Sequence, residues 1–264
     1  MENEALIRLG VFLALFTLLA AVETLLPRRA RSQPRRARWF TNWSIVIADG
    51  LTLRLVAIAI PLLAVGAAID AEARGWGLFN ALAWPPVVEV VISILLLDLL
   101  IWAQHLVTHK VPLLWRLHRV HHADLDIDVT TAVRFHPVEI ALSMGLKIGA
   151  VYVLGPPALA VILFEILLNG MAMFNHANLA LSPRVDALLR KVVVTPDMHR
   201  VHHSIHRDEH DNNYGFSLSI WDRLFGTYRA QPRNGHLGME TGLSWRDDRP
   251  SRLGWSLLLP FRRD

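Results

Sequence analysis

The sequence predicts an all-α chain that crosses a membrane several times and carries a polar helical cap on one side. Three observations support this. Apolar residues make up 53% of the 264 residues and mean hydropathy is +0.32, too apolar for an ordinary water-soluble enzyme. Five apolar stretches, each close to the ~20 residues that cross a bilayer as a helix, are separated by polar segments. Histidines recur at helical spacing where apolar and polar segments meet, and one pentapeptide, HRVHH, occurs at both 118–122 and 199–203. No run alternates in strand fashion, and no internal repeat exists beyond that echo.

The elements follow in order. Residues 5–26 form a first span interrupted only by Arg8 and Glu23. A cleaved secretory signal would begin with basic residues, whereas Glu2 and Glu4 stand here. Pro27 to Arg38 holds six Arg and no acid, and such a block stays on the cytoplasmic side. The N-terminus is therefore expected outside. A second span over 42–65 contains Asp49 and Arg54, which must face other helices or pair; at five residues apart they do not pair directly. Residues 66–85, with one Arg against Asp70 and Glu72, are expected to be an outside loop.

Pro85-Pro86 begins a third span, 87–109, which ends in His105 and His109. The polar stretch from Lys110 to Arg134 carries the first HRVHH. Residues 136–154 and 158–177 then form a membrane hairpin about Gly155-Pro156-Pro157, and the chain beyond 178 carries the second HRVHH. Five spans place every His cluster, His176 and the C-terminus on the cytoplasmic side, the plasma membrane in a bacterium. Segments 110–135 and 178–264 form the cap.

Residues three and four apart share one face of a helix. His118, His121 and His122 therefore converge, as do His199, His202 and His203, and His105 with His109. Imidazole is the commonest protein ligand for a transition metal. Eight imidazoles in three one-sided groups exceed the needs of one ion and suggest two. A merely polar role is disfavoured, because unpaired polar groups at the ends of apolar spans are costly. The chain has no Cys, which excludes thiolate ligands, disulfides and a Cys nucleophile. The net charge of +4 reflects Arg at the membrane flanks, and no free-standing basic helix interleaved with aromatics points to nucleic acid.

The three clusters together resemble the integral-membrane fatty acid hydroxylase / sterol desaturase superfamily, whose members are di-iron, oxygen-activating lipid oxidoreductases. Also similar are Asp98 seven residues before His105, the run Arg134-Phe135-His136-Pro137-Val138-Glu139, the triplet Asn213-Tyr214-Gly215 and WDRLFGTY from Trp221 to Tyr228. The resemblance covers roughly residues 87–230, after N-terminal spans and a basic loop at 1–86 and before a cytoplasmic tail at 231–264.

The resemblance implies that His105, His109, His118, His121, His122, His199, His202 and His203 bind metal, with His176 as a ninth ligand. It places His136 beside the metals, with direct ligation as the alternative, and makes Asp98, Glu139 and Asp222 candidate acceptors for imidazole N–H groups. His206, His210 and His236 fall outside the pattern and are expected to be solvated. Two iron ions, O2 as co-substrate, a membrane lipid and a separate NAD(P)H-linked donor, ferredoxin or cytochrome b5-like, are likewise implied. Residue types alone do not select iron, since affinity order favours copper and zinc.

The expected reaction is hydroxylation of a lipid C–H bond, on a sterol-like, acyl or ether lipid; desaturation at the same dimetal site is the sibling outcome. Zinc hydrolysis of the HExxH kind has no motif here. Metal transport would place its site near the bilayer midplane, whereas these clusters lie at span ends. Nothing in the sequence sets the oligomeric state.

Overall fold

The computed structural model describes residues 4–59, 63–82 and 84–262. Fourteen α-helices and three short 3-10 turns are found among them, and no strand beyond isolated bridges. They run α1 (Glu4–Leu25), α2 (Arg35–Ala59), α3 (Ala64–Arg74), α4 (Leu78–Leu82), α5 (Pro86–Lys110), α6 (Pro112–His122), α7 (Pro137–Leu154) and α8 (Ala158–His176). The cap continues with α9 (Pro183–Leu189), α10 (Pro196–His202), α11 (Arg207–His210), α12 (Ile220–Leu224), α13 (Gly235–Gly238) and α14 (Leu253–Leu258).

Helices α1, α2, α5, α7 and α8 are long and apolar enough to cross a membrane. They form a stem whose outer faces keep large apolar side chains exposed, among them Leu6, Leu13, Val91, Leu142 and Leu163. An apolar exterior is what a bilayer solvates. Proline opens several helices where its missing N–H costs nothing, at Pro86, Pro112, Pro137, Pro183 and Pro196. Gly155 ends α7 in the left-handed conformation (φ 62°). A Cβ at Gly77 would stand 2.3 Å from the Gly155 backbone nitrogen, so backbones touch at this turn.

Three expectations are corrected. The outside loop at 66–85 contains α3, whose face of Ala64, Ala67, Ala68 and Ala71 is buried; the helix packs on α7 and α8. Small residues at i, i+3, i+4 and i+7 make a narrow stripe that allows close approach, and an Ala-rich stretch of low hydropathy does not read as a span. The second span begins at Arg35 instead of residue 42, because the end of the Arg block is already helical; residues 60–62 of that expected span, and residue 83, lie outside the described residues. Finally, the segment after 231 is a strap instead of a tail. Trp255 and Leu259 are buried with Ile45 and Val120, and Arg119 donates to the Leu259 carbonyl at 2.6 Å.

The cap is pinned to the stem by buried charge. Arg38 at the start of α2 donates to Asp124 at 2.7 Å and Asp128 at 2.7 Å, all three side chains being buried. Burial alone would raise the Asp124 pKa, but Arg38 outweighs it and holds this carboxyl at about 2. The loop after the first HRVHH is thus tied to the second membrane helix.

Candidate metal centre

Helix α5 ends with His105 and His109 one turn apart, and Val111 alone separates it from α6. The chain therefore folds back immediately and sets the α6 histidines against those of α5. Helix α8 ends at His176. Thr195 caps α10, its hydroxyl accepting from the Met198 N–H at 3.3 Å, and this helix delivers His199 and His202, with His203 at its C-cap.

All nine rings are buried, and their nitrogens sort into two groups, each with atoms within 4.8 Å of one another. One holds His105, His109, His118, His122 and His202; the other holds His121, His176, His199 and His203. The two HRVHH turns are shared reciprocally. His118 and His122, at i and i+4, join the first group, while His121 crosses to the second. His199 and His203, again i and i+4, join the second group, while His202 crosses to the first.

Hydrogen bonds set the tautomers. Carbonyl and carboxylate oxygens only accept, so the imidazole nitrogen facing each carries the proton. Nδ1 of His105 donates to the Tyr214 carbonyl at 2.7 Å, that of His118 to Glu139 at 2.7 Å, that of His176 to the Ala172 carbonyl at 2.7 Å and that of His202 to the Asn212 carbonyl at 2.8 Å. The Nε2 atoms of these four rings are left as bare lone pairs facing inward. His105 and His118 oppose theirs at 3.0 Å. His176 Nε2 is met by Nε2 of His121, His199 and His203 at 3.1, 3.0 and 3.2 Å. Nε2 of His202 and both nitrogens of His109 and His122 are buried without a hydrogen-bond partner.

The opposed lone pairs of His105 and His118 repel unless a cation lies between them. Ligands about 2.1 Å from one ion stand about 3.0 Å apart at a right angle and about 3.4 Å at the tetrahedral angle, which matches the observed spacing. Burial, reinforced by neighbouring imidazoles, pushes His121, His122, His199, His202 and His203 well below the ordinary histidine pKa. They are neutral at physiological pH, the form that ligates. The donor set therefore fits two transition-metal ions.

The surrounding motif residues have definite tasks. Arg134 donates to the Val120 carbonyl at 2.8 Å and to Asn42 at 2.7 Å, fixing the first histidine turn from behind. Phe135 stacks on His121 with ring centroids 4.5 Å apart. His136 lies with neither group: Nδ1 accepts from the Val138 N–H at 3.2 Å and caps α7, and Nε2 faces the Leu257 carbonyl at 3.2 Å. Both nitrogens are engaged, which disfavours ligation.

Of the three acids expected to receive imidazole protons, only Glu139 does. Asp98 accepts instead from Trp221 Nε1 at 2.8 Å, and Asp222 from Trp102 Nε1 at 3.0 Å. Asp98 and Trp102, one turn apart on α5, thereby grip the loop that carries Tyr214. Asp222 also accepts from the Tyr214 N–H at 2.8 Å and the Gly215 N–H at 2.9 Å, so it acts on His105 through one peptide. Asn213 holds a left-handed φ of 57°, and its amide donates to the Met198 carbonyl at 2.9 Å. A Cβ at Gly215 would sit 2.8 Å from the Leu218 carbonyl oxygen.

Two histidines expected in solvent are buried. His210 stacks on Trp115 at 5.2 Å and donates Nδ1 to the Ser204 carbonyl at 3.0 Å. His236 lies 3.6 Å from Asp197. His206 is half-buried. Both buried residues sit in helices of four residues, too short for periodicity to report a buried face. Sequence reasoning also missed Asp211, 3.5 Å from His109 Nδ1, and the carbonyl acceptors, which leave no side-chain signal.

A cavity of about 420 Å³ begins at His105 and His118 and runs into the stem past Phe135, Ile101, Ala132 and Phe216. One end is thus lined by histidine-bearing turns, the other by the apolar helices of the stem.

The family model for fatty acid hydroxylases matches residues 90–227. Ornithine lipid hydroxylase OlsE of Rhizobium tropici is 29% identical over 150 residues, 57% of this chain and 44% of that protein. Alkylglycerol monooxygenase of Homo sapiens is 32% identical over 127 residues, 48% of this chain and 27% of that protein. Cholesterol 25-hydroxylase of Rattus norvegicus is 27% identical over 151 residues, 56% of this chain and 49% of that protein. The chain thus spans less than half the length of each of these relatives. No solved structure matches it.

Proposed function

The chain belongs to the fatty acid hydroxylase family, and from that premise we propose that it hydroxylates a C–H bond of a membrane lipid, using O2, two iron ions and electrons from a separate NAD(P)H-linked donor, ferredoxin or cytochrome b5-like. The observation that carries this reading is the union of two histidine groups with one cavity that enters the membrane stem. The names of the relatives, which concern ornithine lipid, alkylglycerol and cholesterol, support a lipid substrate and favour hydroxylation over desaturation or metal transport.

Bound here, the two ions would supply O2 activation for attack on an unactivated C–H bond, chemistry that side chains lack. The protein's own part is positional. Glu139 and the carbonyls of Tyr214, Ala172 and Asn212 keep protons on Nδ1 and aim Nε2 inward. Such outer partners orient ligands and raise their basicity. Ile101, Ala132, Phe135 and Phe216 give the adjoining cavity wall an apolar surface for a hydrocarbon chain. The Arg block at 28–38 favours a cap and metal centre on the cytoplasmic side, where a soluble reductant would have access.

Lipid analysis of cells expressing the chain against cells expressing His121→Ala tests this reading. A lipid that gains one oxygen only with the native chain is the expected result. Identical lipid profiles in both would contradict it.

A further inference from the structure

The cavity does not become uniformly apolar as it enters the stem. Its lining includes Arg8, Asp49, Lys147, Glu165 and Asn169, all from membrane-spanning helices. Lys147 donates to Glu165 at 2.7 Å and Arg8 pairs with the other Glu165 oxygen; Glu165 and Lys147 are largely buried. Asp49 is buried, and its Oδ1 has no hydrogen-bond partner among the described residues. Ionisable groups inside a membrane are expensive and ordinarily mark the path or site of a ligand.

Two helices give the depth of the Lys147–Glu165 pair independently. Lys147 lies eight residues beyond Glu139 on α7, about 12 Å at 1.5 Å per residue, and Glu139 touches His118. Glu165 lies eleven residues before His176 on α8, about 16 Å by the same rise, and His176 belongs to the second metal group. Glu165 is also seven residues from the start of α8, about 10 Å, so this ion pair sits well inside the stem. A plain alkyl tail lying there would leave buried polar groups facing hydrocarbon, which is unfavourable.

We propose that Asp49, Lys147, Glu165 and Asn169 make a polar stretch of the cavity wall in which Asp49 binds an uncharged, hydrogen-bond-donating group of the lipid, such as a hydroxyl. Pairing selects the class. Lys147 and Arg8 are both engaged with Glu165, whereas the unpartnered Asp49 Oδ1 is left to accept a donor, and a hydroxyl brings one without adding charge. The cavity then measures the separation between the polar group and the carbon presented to the metals.

This inference rests on the lipid-hydroxylase reading for its meaning, but its test needs no turnover. The metal-loaded full chain in lipid nanodiscs is equilibrated with equimolar deuterated hexadecanol and hexadecane and repurified, and retained probe is quantified by mass spectrometry after subtraction of empty nanodiscs. The native chain is expected to favour the alcohol about fivefold, the scale of one buried hydrogen bond. Asp49→Leu is expected to lose that preference while still retaining hexadecane, which shows that the cavity is intact. Asp49→Asn, whose carbonyl still accepts, is expected to keep most of it. Equal retention of both probes by the native chain, or an undiminished preference in Asp49→Leu, would overturn the subsite. A preserved preference in a protein that oxidises no lipid would leave the subsite standing and remove the hydroxylase reading instead.

Discussion

His118 Nδ1 lies 2.7 Å from Glu139 Oε1, joining a cap imidazole to the first turn of a membrane helix. The carboxylate fixes the proton on Nδ1 and leaves Nε2 to face His105 Nε2 at 3.0 Å. Glu139 also lines the cavity, so one side chain joins the histidine groups to that cavity.

Replacing that carboxylate gives the first prediction. Glu139→Gln keeps the volume but weakens the grip on the imidazole N–H. Metal affinity or activity is expected to fall about 10- to 100-fold, the usual effect of removing such a partner. Metal content by mass spectrometry and the rate of lipid oxidation check this. His136→Gln, placed on a residue that caps α7 away from both groups, is expected to retain both ions. Unchanged affinity and activity in Glu139→Gln would show that the His118 orientation is set elsewhere.

The reciprocal sharing of the HRVHH turns gives the second. The native chain is expected to hold about two transition-metal ions, one per group. His121→Ala leaves three imidazoles in its group and His202→Ala leaves four in the other, and four suffice for a tetrahedral ion. A chelator titration followed by metal analysis is expected to release the first ion more readily from His121→Ala. Simultaneous loss of both ions from either variant would mean that the nine rings act as a single site.

His236 belongs to neither histidine group and gives a pH prediction. Burial, opposed by Asp197, lowers its pKa to about 4. Between that value and the ordinary histidine value the unfolded chain binds the proton and the folded one does not. Stability from this group is therefore complete above the ordinary value and is lost as pH falls toward about 4. Thermal unfolding followed by circular dichroism is expected to show a shallower decline over that window in His236→Gln. Parallel native and variant curves would remove His236 as a contributor.

Topology is open to a direct chemical check, because the chain has no Cys. Single cysteines at positions 33 and 233 are expected to be shielded from an impermeant thiol reagent on intact cells and to react after permeabilisation. Labelling of either on intact cells would invert the proposed orientation.

Much of this architecture is legible in the sequence, for identifiable reasons. Long apolar runs report α1, α5, α7 and α8 within a residue or two, because a bilayer constrains both length and polarity. Eight of the histidines are legible because i, i+3 and i+4 share a face, and His176 only through the family resemblance. Their division is not, since an HxxHH turn offers both an i+3 and an i+4 partner and only packing decides which one crosses. Helix α3 escapes because its buried stripe is alanine. The partners of His105, His176 and His202 escape because they are main-chain carbonyls, and the buried positions of His210 and His236 depend on irregular segments folding over them.

The origin of the oxygen atom tests the central claim most directly. Purified chain loaded with iron, supplied with a reducing system, membrane lipid and isotopically labelled O2 in unlabelled water, is expected to yield a hydroxylated lipid that carries the label. A product whose oxygen comes from water would contradict the account and indicate hydrolysis or hydration, and a new double bond with no oxygen retained would move the chemistry to desaturation.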